Sequence, residues 1–283
     1  MDDKTYLYKN ACRHSHFDEI IDGLENKRFD IHLDDEYVFK WSCFNGRIDI
    51  IKYLIEYSNK HDTKINICIE DDFSFKWACR NGHLEVVKFL IEYSIDNNIR
   101  ININSEDEYA FKYCCMNGFY EIMKYLLDLC ELYNYKINIH IDNEYPFRRA
   151  CQNGHYLIVK YLFEYSKKIN SLIDINSENN YAFSWSCKNN HLDIIKYLFE
   201  NNNIDIKYED IKILEETYFD DNDEDIKNKN IQIQDKNYII NYITTHNDIQ
   251  CDNQYPIYCK QCIYTDYIKI IIDKNTIKKM IFV

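Results

Sequence analysis

One phrase recurs five times between residues 37 and 201, at a step of 36. It reads aromatic-x-Phe, then Cys four residues on, then Asn-Gly in most copies. Phe39, Phe75, Phe111, Phe147 and Phe183 fill one column, and Cys43, Cys79, Cys115, Cys151 and Cys187 a second. Gly46, Gly82, Gly118 and Gly154 fill a third, which closes on Asn190. A fixed period of this length means stacked supersecondary units that bury apolar faces against their neighbours instead of around one core. Such a chain presents a long binding surface.

Residues 70–103 show the unit. Phe75 and Cys79 stand i,i+4 and share a helix face. A first helix is therefore expected over about 73–80. The small pair Ala78-Cys79, matched by Ser42-Cys43, Cys114-Cys115, Ala150-Cys151 and Ser186-Cys187, lets neighbouring first helices approach closely. Asn81-Gly82 ends the helix, because Gly adopts the left-handed conformation common just past a helix C-terminus. Asn190 tolerates that region in the fifth copy. Leu84, Val87, Leu90 and Ile91 form the apolar stripe of a second helix over about 84–93. Ile101-Asn102-Ile103 alternates and predicts a short finger, as do Ile65/Ile67, Ile137/Ile139 and Ile173/Ile175.

The phrase WACRNGHLEVVKFLIEYS resembles an ankyrin repeat, whose usual form is T-P-L-H-x-A-A-x-x-G-H-x-E-V-V-x-x-L-L. The resemblance implies an all-α solenoid of helix-turn-helix units with short β-hairpin fingers. The Y-x-F-x-W-x-C variant resembles the ankyrin arrays of giant amoebal viruses (Mimivirus-type). It departs from the pattern where the Thr and His of the first turn become Phe73 and Lys76, Tyr109 and Lys112, Tyr145 and Arg148. Only Pro146 keeps the family proline. An aromatic staple of Tyr37, Phe73, Tyr109, Tyr145 and Tyr181, stacked along the column, is expected to replace that turn. Residues 1–36 read as an N-terminal capping repeat, with Ala11-Cys12-Arg13 echoing Ala78-Cys79-Arg80. Residues 37–206 are five repeats, and 207–283 read as degenerate repeats with an acidic loop and a C-terminal cap.

Charge narrows the partners. The formal net charge is −13, which argues against a nucleic-acid phosphate backbone as the main ligand. Nine carboxylates against one Lys, between Glu209 and Asp225, account for −8 of it and read as a solvated loop. No apolar run approaches a membrane span, and MDDKTYLYKN lacks a signal core, so no membrane association and a cytoplasmic location are expected, which the viral resemblance makes that of a host cell. Five of the 12 cysteines recur inside an apolar pattern, which suits buried thiols in a reducing compartment.

Candidate chemistry is thin. Cys259-Lys-Gln-Cys262, with Cys251 nearby, has the C-x-x-C spacing of zinc or redox sites but no second pair, and Cys259 also falls where a repeat cysteine belongs. His83, His155 and His191 recur at one repeat position, too far apart to share a metal, and read as second-helix caps. Trp41, Trp77 and Trp185, with Tyr113 and Arg149 in the same column, suit either inter-repeat packing or interface anchors. No phosphate loop, nucleophile elbow or catalytic carboxylate pair is present in the sequence, so neither catalysis nor a cofactor is expected.

The resemblance implies a protein-interaction module acting as a monomer, with binding residues on finger tips and first helices. Transferred to this chain, they are the acidic tip residues Asp35, Asp71, Asp72, Asp107, Glu108 and Glu144, of which Asp71, Asp72, Asp107 and Glu108 are expected to be solvent-exposed. Beside them come the basic residues Lys40, Lys76, Lys112, Arg148 and Arg149, and the variable positions Arg80, Met116 and Gln152. Viral ankyrin proteins also carry C-terminal segments that recruit ubiquitin ligases. An adaptor of that kind, or a minor zinc or redox role for Cys251, Cys259 and Cys262, is the alternative.

Overall fold

A computed structural model of the chain describes residues 9–201, apart from 15 and 134. The expected degenerate repeats of 207–283, with the acidic run of 209–225 and Cys251, Cys259 and Cys262, lie outside the described residues.

Residues 9–13 are helical, and α1 (Phe17–Glu25) follows. Helix pairs then repeat: α2 (Leu33–Phe44) with α3 (Ile48–Lys60), α4 (Ile69–Arg80) with α5 (Leu84–Asp96), and α6 (Ser105–Asn117) with α7 (Tyr120–Tyr133). Two further pairs are α8 (Ile141–Gln152) with α9 (Tyr156–Lys168), and α10 (Ser177–Lys188) with α11 (Leu192–Asn201). Each first helix ends on a left-handed residue: Gly46, Gly82, Gly118 and Gly154 in four copies, and Asn190 (φ 61°) in the fifth.

The first helices pack directly on one another, α2 on α4 on α6 on α8 on α10. Small residues permit this. Ser42, Ala78, Cys114, Ala150 and Ser186 and the five column cysteines are all buried. Their polar atoms are absorbed locally: the Ser186 hydroxyl donates to the Ala182 carbonyl at 2.7 Å, and Cys114 Sγ to the Cys79 carbonyl at 3.4 Å. Phe39, Phe75, Phe111, Phe147 and Phe183 are the largest fully buried side chains. Truncating a buried Phe to Ala typically costs ~3–5 kcal/mol, so this column holds much of the stack's stability. Burial also pushes the Cys43, Cys79, Cys115 and Cys151 thiols up, so these groups pack as small neutral apolar residues.

The described fingers show no hairpin. Among the described residues no strand forms, although Ile65 and Ile67, and Ile101 and Ile103, are buried around the exposed Asn66 and Asn102. Each finger instead turns through three consecutive left-handed residues: Asp34-Asp35-Glu36, Glu70-Asp71-Asp72, Glu106-Asp107-Glu108, Asp142-Asn143-Glu144 and Glu178-Asn179-Asn180. Right-handed helix starts only after them, at 37, 73, 109, 145 and 181. Short polar side chains tolerate this region better than others, which fits the Asp/Asn content of the turns.

Candidate protein-interaction surface

The left-handed turn divides neighbouring tip carboxylates. Asp35, Asp71 and Asp107, at its second position, are exposed. Glu36, Asp72, Glu108 and Glu144, at its third, are only 4–6% exposed. Each accepts a hydrogen bond from a backbone N–H one finger onward. Asn66 donates to Glu36 and Asn102 to Asp72 at 3.0 Å, Asn138 to Glu108 at 3.0 Å, and Asp174 to Glu144 at 3.2 Å. The expectation of exposed Asp72 and Glu108 is thus corrected. These carboxylates supply the acceptor that a partner strand would have offered, so the fingers need no β-ladder. Burial raises the Asp72 carboxyl above its usual range, against the pull of hydrogen bonds from Cys68 and the Asn102 amide.

The donating residues belong to a column of their own. Asp30, Asn66, Asn102, Asn138 and Asp174 stand 36 apart, and each side chain accepts the N–H two residues on, at 2.9–3.2 Å. Sequence reasoning passed over this column, though its period was visible.

The lysine column is also engaged within the chain. Lys40 pairs with Glu70 and Lys76 with Glu106 at 2.5 Å, and Lys112 with Asp142 at 3.1 Å. Lys40 and Lys76 are buried, and Lys112 half-buried. An offset of 30 residues brings the next tip beside each ammonium, so these three tie repeats together. Arg148 differs. Its guanidinium donates to the Asn143 and Asp142 carbonyls of its own finger, at 2.6 and 2.9 Å.

A row of half-buried rings and cations runs across the first helices. Phe44, Arg80 and Gln152 each sit between bulky residues of their own repeat and the next. Phe44 lies 4.9 Å from Trp41 and 5.2 Å from Trp77, by ring centroids. The Arg80 guanidinium sits 4.4 Å over Trp77 and 4.5 Å over Tyr113, and donates to the Tyr109 hydroxyl. Met116 Sδ accepts from the Tyr145 hydroxyl at 3.6 Å. Gln152 Oε1 accepts from Arg149 at 2.6 Å and from Tyr181 at 2.9 Å, while Arg149 lies 5.0 Å over Tyr145. Lys188 lies 4.3 Å over Trp185. The expected staple therefore takes another form. Tyr37, Phe73 and Tyr181 lean on Trp41, Trp77 and Trp185 one turn along the same helix, at 5.7–5.9 Å.

His83 and His155 hold the N-cap positions of α5 and α9, as expected, but the histidine side chains clamp repeats. None caps the following helix through its side chain where the cap is described, at His83 and His155. Nε2 of His83, His155 and His191 instead donates to the carbonyls of Phe44, Met116 and Gln152, at 2.8–2.9 Å. Asn81, Asn153 and Asn189 donate to the same three carbonyls. These are end-of-helix acceptors that the α-helix itself leaves open. The glycines make room: a Cβ on Gly46 would stand 2.4 Å from the His83 ring, and one on Gly118 2.6 Å from His155.

Among the described residues no group of His, Cys, Asp or Glu is placed to hold a metal, and no helix is long and apolar enough to cross a membrane.

Stacked helix pairs, with first helix packed on first helix, define a helical-repeat protein. The family profile described as Ankyrin repeats matches three times, over residues 8–101, 39–141 and 111–210. These matches take in more than half of the chain, which belongs to the ankyrin-repeat family. Comparison with the curated proteins gives no match. Ankyrin repeats generally mediate protein–protein interactions, and proteins built from them are typically non-enzymatic scaffolds.

Proposed function

We propose that this protein is a non-catalytic scaffold that binds a partner protein, one of a host cell, along the concave surface of repeats two to five. The supporting observation is the half-buried row Trp77, Arg80, Tyr113, Met116, Arg149 and Gln152. Trp, Tyr and Arg dominate interface energetics because they offer large area with few rotamers. Asp35, Asp71 and Asp107 flank the row as exposed anions and slow association as salt rises. The protein acts as a monomer, and its buried thiols suit the cytoplasm.

The variable column supplies its own test substitutions. Lys188 occupies the position of Met116 and Gln152, so Met116→Lys with Gln152→Lys is compatible with the fold. Affinity capture from host-cell lysate followed by mass spectrometry compares this variant with a control neutralised to Asn at Asp220, Asp221 and Asp223. The row variant loses the captured partner and the control keeps it. Retention by the row variant together with loss by the control refutes the reading and moves recognition to the acidic segment.

A further inference from the structure

Arg80, Arg148 and Arg149 form no ion pair with any described carboxylate, in a chain with 47 acidic and 34 basic residues. Lys40, Lys76 and Lys112, on the same first helices, are by contrast all paired. Two of the guanidiniums lie at repeat junctions. Arg80 is held between Trp77 and Tyr113, and Arg149 between Tyr145 and Tyr181 at 5.0 and 5.6 Å. Stacking fixes the plane of a guanidinium and leaves in-plane N–H groups for a carboxylate, which it matches two bonds at a time. Arg80 spends Nη1 on Tyr109 and keeps Nε and Nη2 for two bonds, whereas Arg149 spends Nη1 on Gln152 and Tyr181 and buries Nε, which leaves Nη2 for a single bond.

The two junctions are two repeats apart. At ~10 Å per packed helix, the guanidiniums stand roughly 20 Å from one another. An extended chain rises ~3.3 Å per residue, so that span is about six residues. Between them the row presents the apolar Met116, with Trp77 beyond one end and Trp185 beyond the other.

Resting on the concave-surface reading above, we infer that the row receives an extended segment of the partner carrying two carboxylates about six residues apart, with apolar side chains between. Charge complementarity selects this occupant. A run of phosphates would meet the exposed Asp35, Asp71 and Asp107 as well as the arginines, whereas two isolated carboxylates reach the guanidiniums and leave the tips free for basic flanks.

Panning a random dodecapeptide display library on the full chain tests the inference. The enriched peptides carry an Asp/Glu pair at this spacing with apolar residues between. In fluorescence anisotropy, a labelled enriched peptide binds about tenfold or more weakly to Arg80→Met/Arg149→Trp, as loss of charge-assisted hydrogen bonds requires. Met116, Trp77 and Trp185 already occupy those columns, so the double variant keeps the fold, which its melting curve checks. Neutral or basic enriched peptides, no enrichment, unchanged affinity in the double variant, or stronger competition by a single-stranded oligonucleotide than by unlabelled peptide each overturn the inference. Binding that falls with Met116→Lys but not with the arginine variant overturns carboxylate recognition while leaving the concave surface standing. Binding insensitive to both overturns the two together.

Discussion

Glu108 and Asp107 are neighbours in one finger, and replacing them has very different consequences. Glu108 is 6% exposed, and its Oε1 accepts from the Asn138 amide at 3.0 Å and from Asn104 Nδ2 at 2.6 Å. Glu108→Ala removes two hydrogen bonds to a charged acceptor, a gross loss of ~3–6 kcal/mol. Releasing the buried carboxylate, whose Oε2 has no partner, returns part of that, leaving a net destabilisation of about 2–4 kcal/mol. Asp107→Asn changes an exposed side chain to the residue that Asn143 supplies in the next finger, and stays within ~0.5 kcal/mol. Because a repeat array opens locally, the direct measurement is hydrogen exchange at the Asn138 amide in the full chain. Loss of the latch speeds it by about 30-fold or more in Glu108→Ala, at 1.4 kcal/mol per factor of ten. Unchanged exchange at Asn138, or an equal effect from Asp107→Asn, would refute the idea that the buried tip carboxylates tie finger to finger.

Three more outcomes are expected. Burial, aided by the nearby His191 and opposed by the Met116 carbonyl, holds the His155 imidazole below its ordinary value of 6.5. The folded state therefore binds that proton less readily than the unfolded chain, so stability falls as pH drops through 6.5. His155→Phe, which copies Phe119, should melt with a smaller difference between about pH 8 and about pH 5. Gly118→Ala forces a Cβ to 2.6 Å from the His155 ring at φ 83° and should cost about 1–3 kcal/mol by denaturant titration, less in a His155→Ala background. Alkylation of the native protein, mapped by mass spectrometry, should spare Cys43, Cys79, Cys115, Cys151 and Cys187, and Cys79→Ser should destabilise by about 1–3 kcal/mol; rapid labelling of that column would contradict its burial.

Periodicity alone determined the helix pairs of the described repeats. Phe75 with Cys79, Gly82 behind them and the stripe of Leu84, Val87, Leu90 and Ile91 recur because each copy meets an identical neighbour, so burial repeats with the chain. Asn190 in place of Gly was legible for the same reason: the backbone needs a left-handed residue there. What lies across a repeat junction was decided only by the stack. Nothing in Asp71-Asp72 or Asp107-Glu108 distinguishes the solvated carboxylate from the buried one. That choice follows from three successive left-handed residues, which break the helical period on which sequence reading depends. The pairing of Lys76 with Glu106, and of His83 with the Phe44 carbonyl, joins positions 30 and 39 apart, neither of which is the repeat length. Each offset is one repeat less six residues or plus three, set by which residues of the neighbouring repeat the close packing of the small Ala, Ser and Cys faces brings within reach.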